Sequence, residues 1–333
     1  MLKLLSYVAG AAALSFGLLA SAPQASSHTV EKTLRLVFDI PMNHPRVPYF
    51  LAMAAQVARD TSGQIKIDPN PGGKIHPGFA SVEALKNGDA DLTFVNASNL
   101  ERLDPRFGFI NLPFTIDDTM MAKAETRDGI VDLLDSLARP QGLRVIGLMR
   151  GADQLLVFRD RTVNAVADLK GLRIRVAGAG IYQDIMNGLG AEPIVLPIPE
   201  LKPSFARGTL DGVFTSPGAW LSQLDMAAPR ATHAPGLMMI TYVLVVRTEA
   251  LDSLEPSGRQ ALLDAARLEI SDNWERMNAD DAAIMKQMAG KGAVLTTIQD
   301  TAPWRAAVAP VVTGYAQRHS QTWAEFQRRL HAR

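Results

Sequence analysis

Asp168-Leu-Lys-Gly-Leu-Arg-Ile-Arg-Val176 is the stretch around which this chain of 333 residues is organised. It reads as a loop, Asp168 to Gly171, running into a short strand built on Ile174 and Val176. Alternate residues of a strand point to opposite faces, so Arg173 and Arg175 share one face and the two apolar residues share the other. A guanidinium holds a carboxylate through two parallel hydrogen bonds, a geometry that lysine does not reproduce. Arg175 is therefore a candidate receptor for the carboxylate of a small organic acid. The alternative for both arginines is a solvated face or a pairing with a nearby aspartate.

Composition narrows the setting. The chain is 47% hydrophobic, and its length suggests about two domains, each with a core. The 34 basic and 34 acidic residues balance, and no basic stripe appears, so no nucleic-acid partner is expected. There is no cysteine, which excludes disulfides, thiolate metal sites and a lipid-anchoring cysteine. Lys3 followed by the apolar or small run Leu4 to Leu19 reads as a secretory signal. Pro23 disfavours a cut after Ala22, so cleavage near Ser27 and an exported, periplasmic mature protein are expected. An uncleaved anchor is the alternative, for a segment short and rich in small residues.

Outward from the central stretch the chain alternates strands and helices. Leu34 to Phe38 reads as a strand and Tyr49 to Asp60 as a helix. Gln64 to Asp68 is a strand, Ala80 to Asn87 a helix closed by Gly88, and Asp91 to Val95 a strand again. This rhythm predicts a parallel sheet with ligands at its C-terminal strand ends, where Asn43, His44, Asn96 and Ser98 are placed. Thr119 to Leu137 reads as one helix. A first crossing to a second lobe is expected near Gly151, with a return through the strand Thr241 to Val246. Leu262, Ala266, Ile270, Trp274, Met277, Ile284 and Met288 hold one helical stripe from Pro256 to Gly290. Gln299 onward reads as a helical tail, with Trp304, Tyr315, Trp323 and Phe326 packing back.

Further pieces recur in order: His44-Pro45, Leu85-Lys-Asn-Gly-Asp-Ala-Asp91, Asn111-Leu-Pro-Phe114, Gly142-Leu-Arg-Val-Ile-Gly147, Leu189-Gly-Ala-Glu-Pro193, Leu210-Asp-Gly212, Val245-Val-Arg247 and Leu251-Asp-Ser-Leu254. With the central stretch, this ordered set resembles the solute-binding proteins of tripartite ATP-independent periplasmic (TRAP) transporters, the C4-dicarboxylate-type (DctP-like) family, over roughly residues 33 to 300. The resemblance implies an α/β, two-lobed, periplasmic-binding-protein-like (type II) fold, with mixed sheets flanked by helices and a long helix spanning both lobes. The expected division is residues 1–27 as signal peptide, 28–151 as the first part of lobe I and 152–240 as the first part of lobe II. Residues 241–278 return to lobe I with the first half of the long helix. Residues 279–333 return to lobe II with the C-terminal helices.

In the resembled family the arginine matching Arg175 binds the ligand carboxylate, and a membrane permease receives the ligand. Thr215-Ser216-Pro217 begins where a strand ends, so its hydroxyls are candidates to complete the pocket, against an ordinary Ser-Pro turn. Many family members carry Gln-Glu-Asn-Pro here. The departure to Val-Phe-Thr-Ser-Pro removes the pair that gives some members a metal-bridged ligand, so no metal and no cofactor are expected. Trp220 is either a stacking wall or core between lobes, and Tyr182 and Tyr242 share that ambiguity. Asp153 stands where many members carry a second arginine, with Arg150 nearby as a substitute. Facing the cleft, Asp153 would repel a second carboxylate, pair with Arg175, or accept from a ligand hydroxyl or amine.

The histidines show no metal-ligand spacing, Gly72-Gly73 lacks the Lys-Ser/Thr of a phosphate loop, and no nucleophile–base constellation is found. The expectation is a monomeric, non-enzymatic binding subunit that captures a small carboxylate by lobe closure for a TRAP permease. Asn43, His44 and Asn96 reach across from the lobe opposite Arg175. The alternatives are a binding protein of an ATP-driven importer, a sensory module, or an exported α/β enzyme.

Overall fold

Two mixed sheets divide the chain of the computed structural model, which describes residues 32–72, 76 and 78–331. The expected signal segment lies outside the described residues. The first sheet is laid down as a βαβαβ run. Strands β1 (Lys32–Phe38), β2 (Ile65–Asn70) and β3 (Leu92–Asn96) are parallel and are linked by helices Val47–Asp60 and Ala80–Asn87. β4 (Leu143–Asp153) completes it at the far edge. The second sheet contains β5 (Leu155–Phe158), β6 (Arg173–Val176), β7 (Glu192–Val195), β8 (Gly212–Thr215) and β9 (Arg230–His233). β10 (Met239–Arg247) returns to the first sheet, antiparallel to both β3 and β4, and gives the order β2-β1-β3-β10-β4. β11 (Val294–Thr297) closes the second sheet in the order β11-β9-β5-β8-β6-β7.

The chain passes between sheets three times. The first passage is at Gln154, the single residue between β4 and β5, three residues beyond the predicted Gly151. The second is the segment between β9 and β10. The third is the helix Pro256–Gly290. All seven stripe residues of that helix are buried. Leu262 to Met277 enter the larger core, and Ile284 and Met288 enter a smaller core on the second sheet, so one rigid element joins two apolar cores. Trp274 Nε1 donates to the Leu148 carbonyl at 2.7 Å, and Asn273 takes both the N–H and the carbonyl of Arg150. The Arg150 backbone is open to this grip because the β4–β10 ladder slips beside Gly151. A side chain at Gly147 would come 2.0 Å from Ile270 Cδ1, so the long helix lies this close to β4 only over a glycine.

Period-2 alternation sorts the second sheet. Leu156 and Phe158 face the larger core, and Leu155 and Val157 face the smaller one. The predicted helix 119–137 is broken: a turn at Asp118–Met121 is followed by Ala124–Ala138, with Lys123 extended between them. Of the C-terminal helices, Ala302–Arg318 packs on Ile181–Gly188 behind β6. Ser320–Leu330 instead packs on Ala124–Ala138 of the first sheet, with Phe326 4.8 Å from Phe109 between ring centres. No helix among the described residues is long and apolar enough to cross a membrane.

Candidate functional site

A cavity of about 350 Å³ opens where the C-terminal strand ends of the two sheets face each other. From the first sheet come Asp39, directly after β1, and Asn96, the last residue of β3. Asn99 and Arg102 follow on the next turn, and Phe79 and Glu83 come from the start of the second helix. Tyr242 joins them because β10 runs antiparallel and brings its first half to that edge, opposite Asn96. From the second sheet come Arg175 and Ala177 at the end of β6, Val195 at the end of β7, and Pro197 and Ile198 at the next helix start.

Arg173 and Arg175 share a strand face and have different fates. Arg173 lies at the solvent end of β6 and grips Asp211 with two hydrogen bonds of 3.0 Å. Arg175 is 2% exposed. Its Nε donates to the Leu196 carbonyl at 2.9 Å, and among the described residues its terminal N–H groups have no protein acceptor. Burial pulls its pKa down to about 10, against the pull of Asp39, Tyr182 and Tyr242, so it stays cationic near neutral pH. Burial pushes the Asp39 carboxyl up, and Arg175 opposes that push. Tyr242 is pushed up to about 12 by burial and then by Asp39.

Asn96 is fixed on both sides. Its Oδ1 accepts from the Ser98 N–H at 3.0 Å, and its Nδ2 donates across the lobes to the Tyr182 hydroxyl at 3.1 Å. Tyr182 is fully buried and does not line the cavity; it positions Asn96. Glu101 makes a second bridge between lobes, accepting from the Ile181 N–H at 3.1 Å and from Asn111 Nδ2 at 2.9 Å.

Of the residues singled out from sequence, the cavity brings together Arg175, Asn96 and Tyr242, with Tyr182 behind. The others lie elsewhere. Asn43 is exposed outside the lining. His44 is buried and held neutral by burial and by Arg46, and its Nδ1 accepts from the Arg46 N–H at 3.3 Å. Thr215 pairs with Leu155 in the second sheet, and Ser216 Oγ caps the Pro217–Ala219 turn by accepting from the Ala219 N–H at 3.1 Å. Trp220 belongs to the smaller core, its Nε1 donating to the Ala228 carbonyl at 2.8 Å. Asp153 is turned to the β9 side, where it meets His233 Nε2 at 2.9 Å and accepts from the Gly236 N–H at 2.8 Å. Arg150 is held by Asp118 and Asp281. Among the described residues no cluster of His, Asp and Glu has metal-binding geometry. Asp39, Glu83, Asn99 and Arg102 are polar lining residues that sequence reasoning missed. The predicted strand end at Phe38 is the observed one, and the strand-end rule applied there reaches Asp39 before Asn43 and His44.

Comparison with known proteins agrees with this architecture. The family model described as DctP, bacterial extracellular solute-binding protein, family 7, matches residues 39–318. A solute-binding protein of Verminephrobacter eiseniae is 24% identical over 287 residues, 84% of each chain. Among solved structures, the Bordetella pertussis extracytoplasmic solute receptor binding pyroglutamic acid superposes with a TM-score of 0.82 at 19% identity, covering 90% of this chain and 99% of that one. A TRAP periplasmic solute-binding protein of Bradyrhizobium in complex with galacturonate also gives 0.82, at 22% identity and the same coverage.

Proposed function

Because the chain belongs to the DctP family of bacterial extracellular solute-binding proteins, we propose that it is the periplasmic receptor of a TRAP transporter. In this reading it captures a small organic acid between its lobes and passes it to the membrane permease rather than converting it. One observation carries the ligand class: a buried guanidinium at Arg175, cationic near neutral pH, faces an interlobe cavity without an ion-pair partner among the described residues. A buried cation with free N–H groups is costly until an anion with matching geometry arrives. The cavity volume falls within the range of small-molecule sites. Pyroglutamate and galacturonate, the ligands of the two structural relatives, each present one carboxylate. The three chain passages between sheets supply the hinge, and closure removes water from the ion pair and strengthens it. Thr215 and Ser216 would reach a ligand only after rearrangement, so the wall opposite Arg175 is assigned to Asp39, Asn96 and Tyr242.

The test is a thermal-shift panel of uronates, aldonates, pyroglutamate, keto acids and aromatic acids on the purified protein, with a mass spectrum of whatever co-purifies. A binder at a hundredfold excess over its Kd stabilises the fold by about 2.7 kcal/mol. Stabilisation by neutral sugars or amines with none by acids would overturn the reading.

A further inference from the structure

The cavity holds an anionic residue as well as a cationic one, and they come from different lobes. Asp39 stands at the end of β1 and Arg175 at the end of β6. They are coupled electrostatically, yet they do not form an ion pair: Arg175 spends its Nε on the Leu196 carbonyl. Space for a ligand therefore lies beside a guanidinium and a carboxylate at once. On the same wall as Asp39, Glu83 adds a second acid to the lining and Arg102 a second cation, whose guanidinium lies over the Phe79 ring at 4.5 Å. An acid that offered only its carboxylate would satisfy Arg175 and be repelled by Asp39. An acid that also carries an O–H or N–H donor beside the carboxylate would satisfy both.

We propose that Asp39 selects for acids bearing a hydrogen-bond donor next to the carboxylate, a hydroxyl or a ring or amino N–H, and accepts that donor while Arg175 holds the carboxylate. This rests on the carboxylate reading of Arg175 and adds the ligand's second functional group. It also gives Asp39 the role that sequence reasoning left open for Asp153, which the fold turns toward His233. The two lobes thereby each recognise one group of the same ligand, so only a molecule with both groups at the right spacing draws them together. For plain acids a cheaper escape exists: Asp39 takes up a proton as the ligand carboxylate enters, consistent with the upward push that burial already exerts on it.

The test is calorimetry on the full mature protein with matched probes: pyroglutamate against 3-oxocyclopentanecarboxylate, and galactonate against its 2-deoxy analogue. Each probe is titrated into wild type, Asp39→Asn and Arg175→Ala, in two buffers of different ionisation enthalpy. The lactam pair reads the N–H arm and the aldonate pair reads the hydroxyl arm. In wild type the donor-bearing member of at least one pair should bind about tenfold tighter or more, the value of one charged hydrogen bond. Asp39→Asn should weaken that member and tighten the plain acid, and plain acids should take up a proton only in wild type. A loss of packing would instead weaken both members together. If wild type binds both members equally and Asp39→Asn changes neither, the Asp39 assignment falls while the carboxylate reading stands. If binding survives Arg175→Ala, the carboxylate reading falls and this one with it.

Discussion

Two buried arginines divide the work of this molecule. Arg150, at the hinge end of β4, is saturated. Its Nε and Nη2 meet Asp118 at 2.6 and 3.1 Å, and its Nη1 meets Asp281 of the long helix at 2.6 Å. Arg46 reaches the same Asp281 at 3.5 Å, and Asn278 donates to Asp118 at 3.1 Å. Arg175, at the cleft end of β6, is as buried as Arg150 and has one backbone carbonyl. Burial is the same and provision is opposite. Arg150 is surrounded by acids, whereas Arg175, the buried arginine that lines the cavity, is left short of them. The sequence position that looked like a substitute ligand arginine is the saturated one.

This contrast breaks most sharply at Arg150. Arg150→Ala leaves Asp281 buried with only the more distant Arg46, and should cost on the order of 3–5 kcal/mol of stability. Urea unfolding reads it directly. A loss below about 1 kcal/mol would mean that the network is ornamental. The same substitution at Arg175 should do the reverse. Affinity for the bound acid should fall by about 2–5 kcal/mol, roughly 30-fold to several thousand-fold. Stability without ligand should hold or rise, because an underprovided buried cation has been removed. Equal stability losses at the two sites would dissolve the distinction.

Much of this was legible in the chain. The long helix was visible because its apolar stripe runs from Leu262 to Met288 with Asp281 as its one charged member, and Arg175 because a guanidinium in a short apolar strand demands an explanation. What escaped has physical reasons. β9 and β11 are four residues each, Arg-Ala-Thr-His and Val-Leu-Thr-Thr, too short to show a period. The break at Ala122-Lys123 has no proline or glycine to mark it. An amphipathic helix announces that it will be covered and not by which core, so Ser320–Leu330 was assigned with the second lobe and sits on a first-lobe helix. Asp39 escaped because the strand-end rule points to a loop and not to a residue: β1 ends at Phe38 as expected, and Asn43 and His44 further along the same loop stood out over the carboxylate immediately after the strand.

The cleft itself contains a smaller version of the comparison, open to pH. Glu101 receives two hydrogen bonds, yet burial pushes its pKa from an ordinary 4.5 up to about 7. Asn111 Oδ1 beside it is buried without a donor. A protonated Glu101 supplies that donor once the Asn111 amide is turned over, an assignment the hydrogen-bond network decides. A carboxyl raised in the fold contributes stability that is full below about 4.5 and is lost as pH rises through about 7. Wild type should therefore lose on the order of 2–3 kcal/mol between pH 4.5 and 8 through this group. Glu101→Gln, which always carries the donor, should remove that part of the pH dependence and be the more stable protein at pH 8. Parallel profiles of melting temperature against pH for the two proteins would show that Glu101 is ionised throughout.

Ser216 sets the boundary between the two regions. Its hydroxyl faces the Ala219 N–H, and the neighbouring Gly218 lies so close to the hinge network that a Cβ there would sit 2.8 Å from Arg46 Nη1. A side chain in that place serves the saturated end of the molecule. Ser216→Ala should then cost about 1 kcal/mol as a lost cap, with ligand affinity changed by less than about twofold, well under one hydrogen bond. If affinity falls tenfold while the unfolding midpoint stays put, the ligand reaches past Arg175 to the hinge. The free cation would then be the outer edge of the site rather than its centre, and Arg46 would become the next residue to remove.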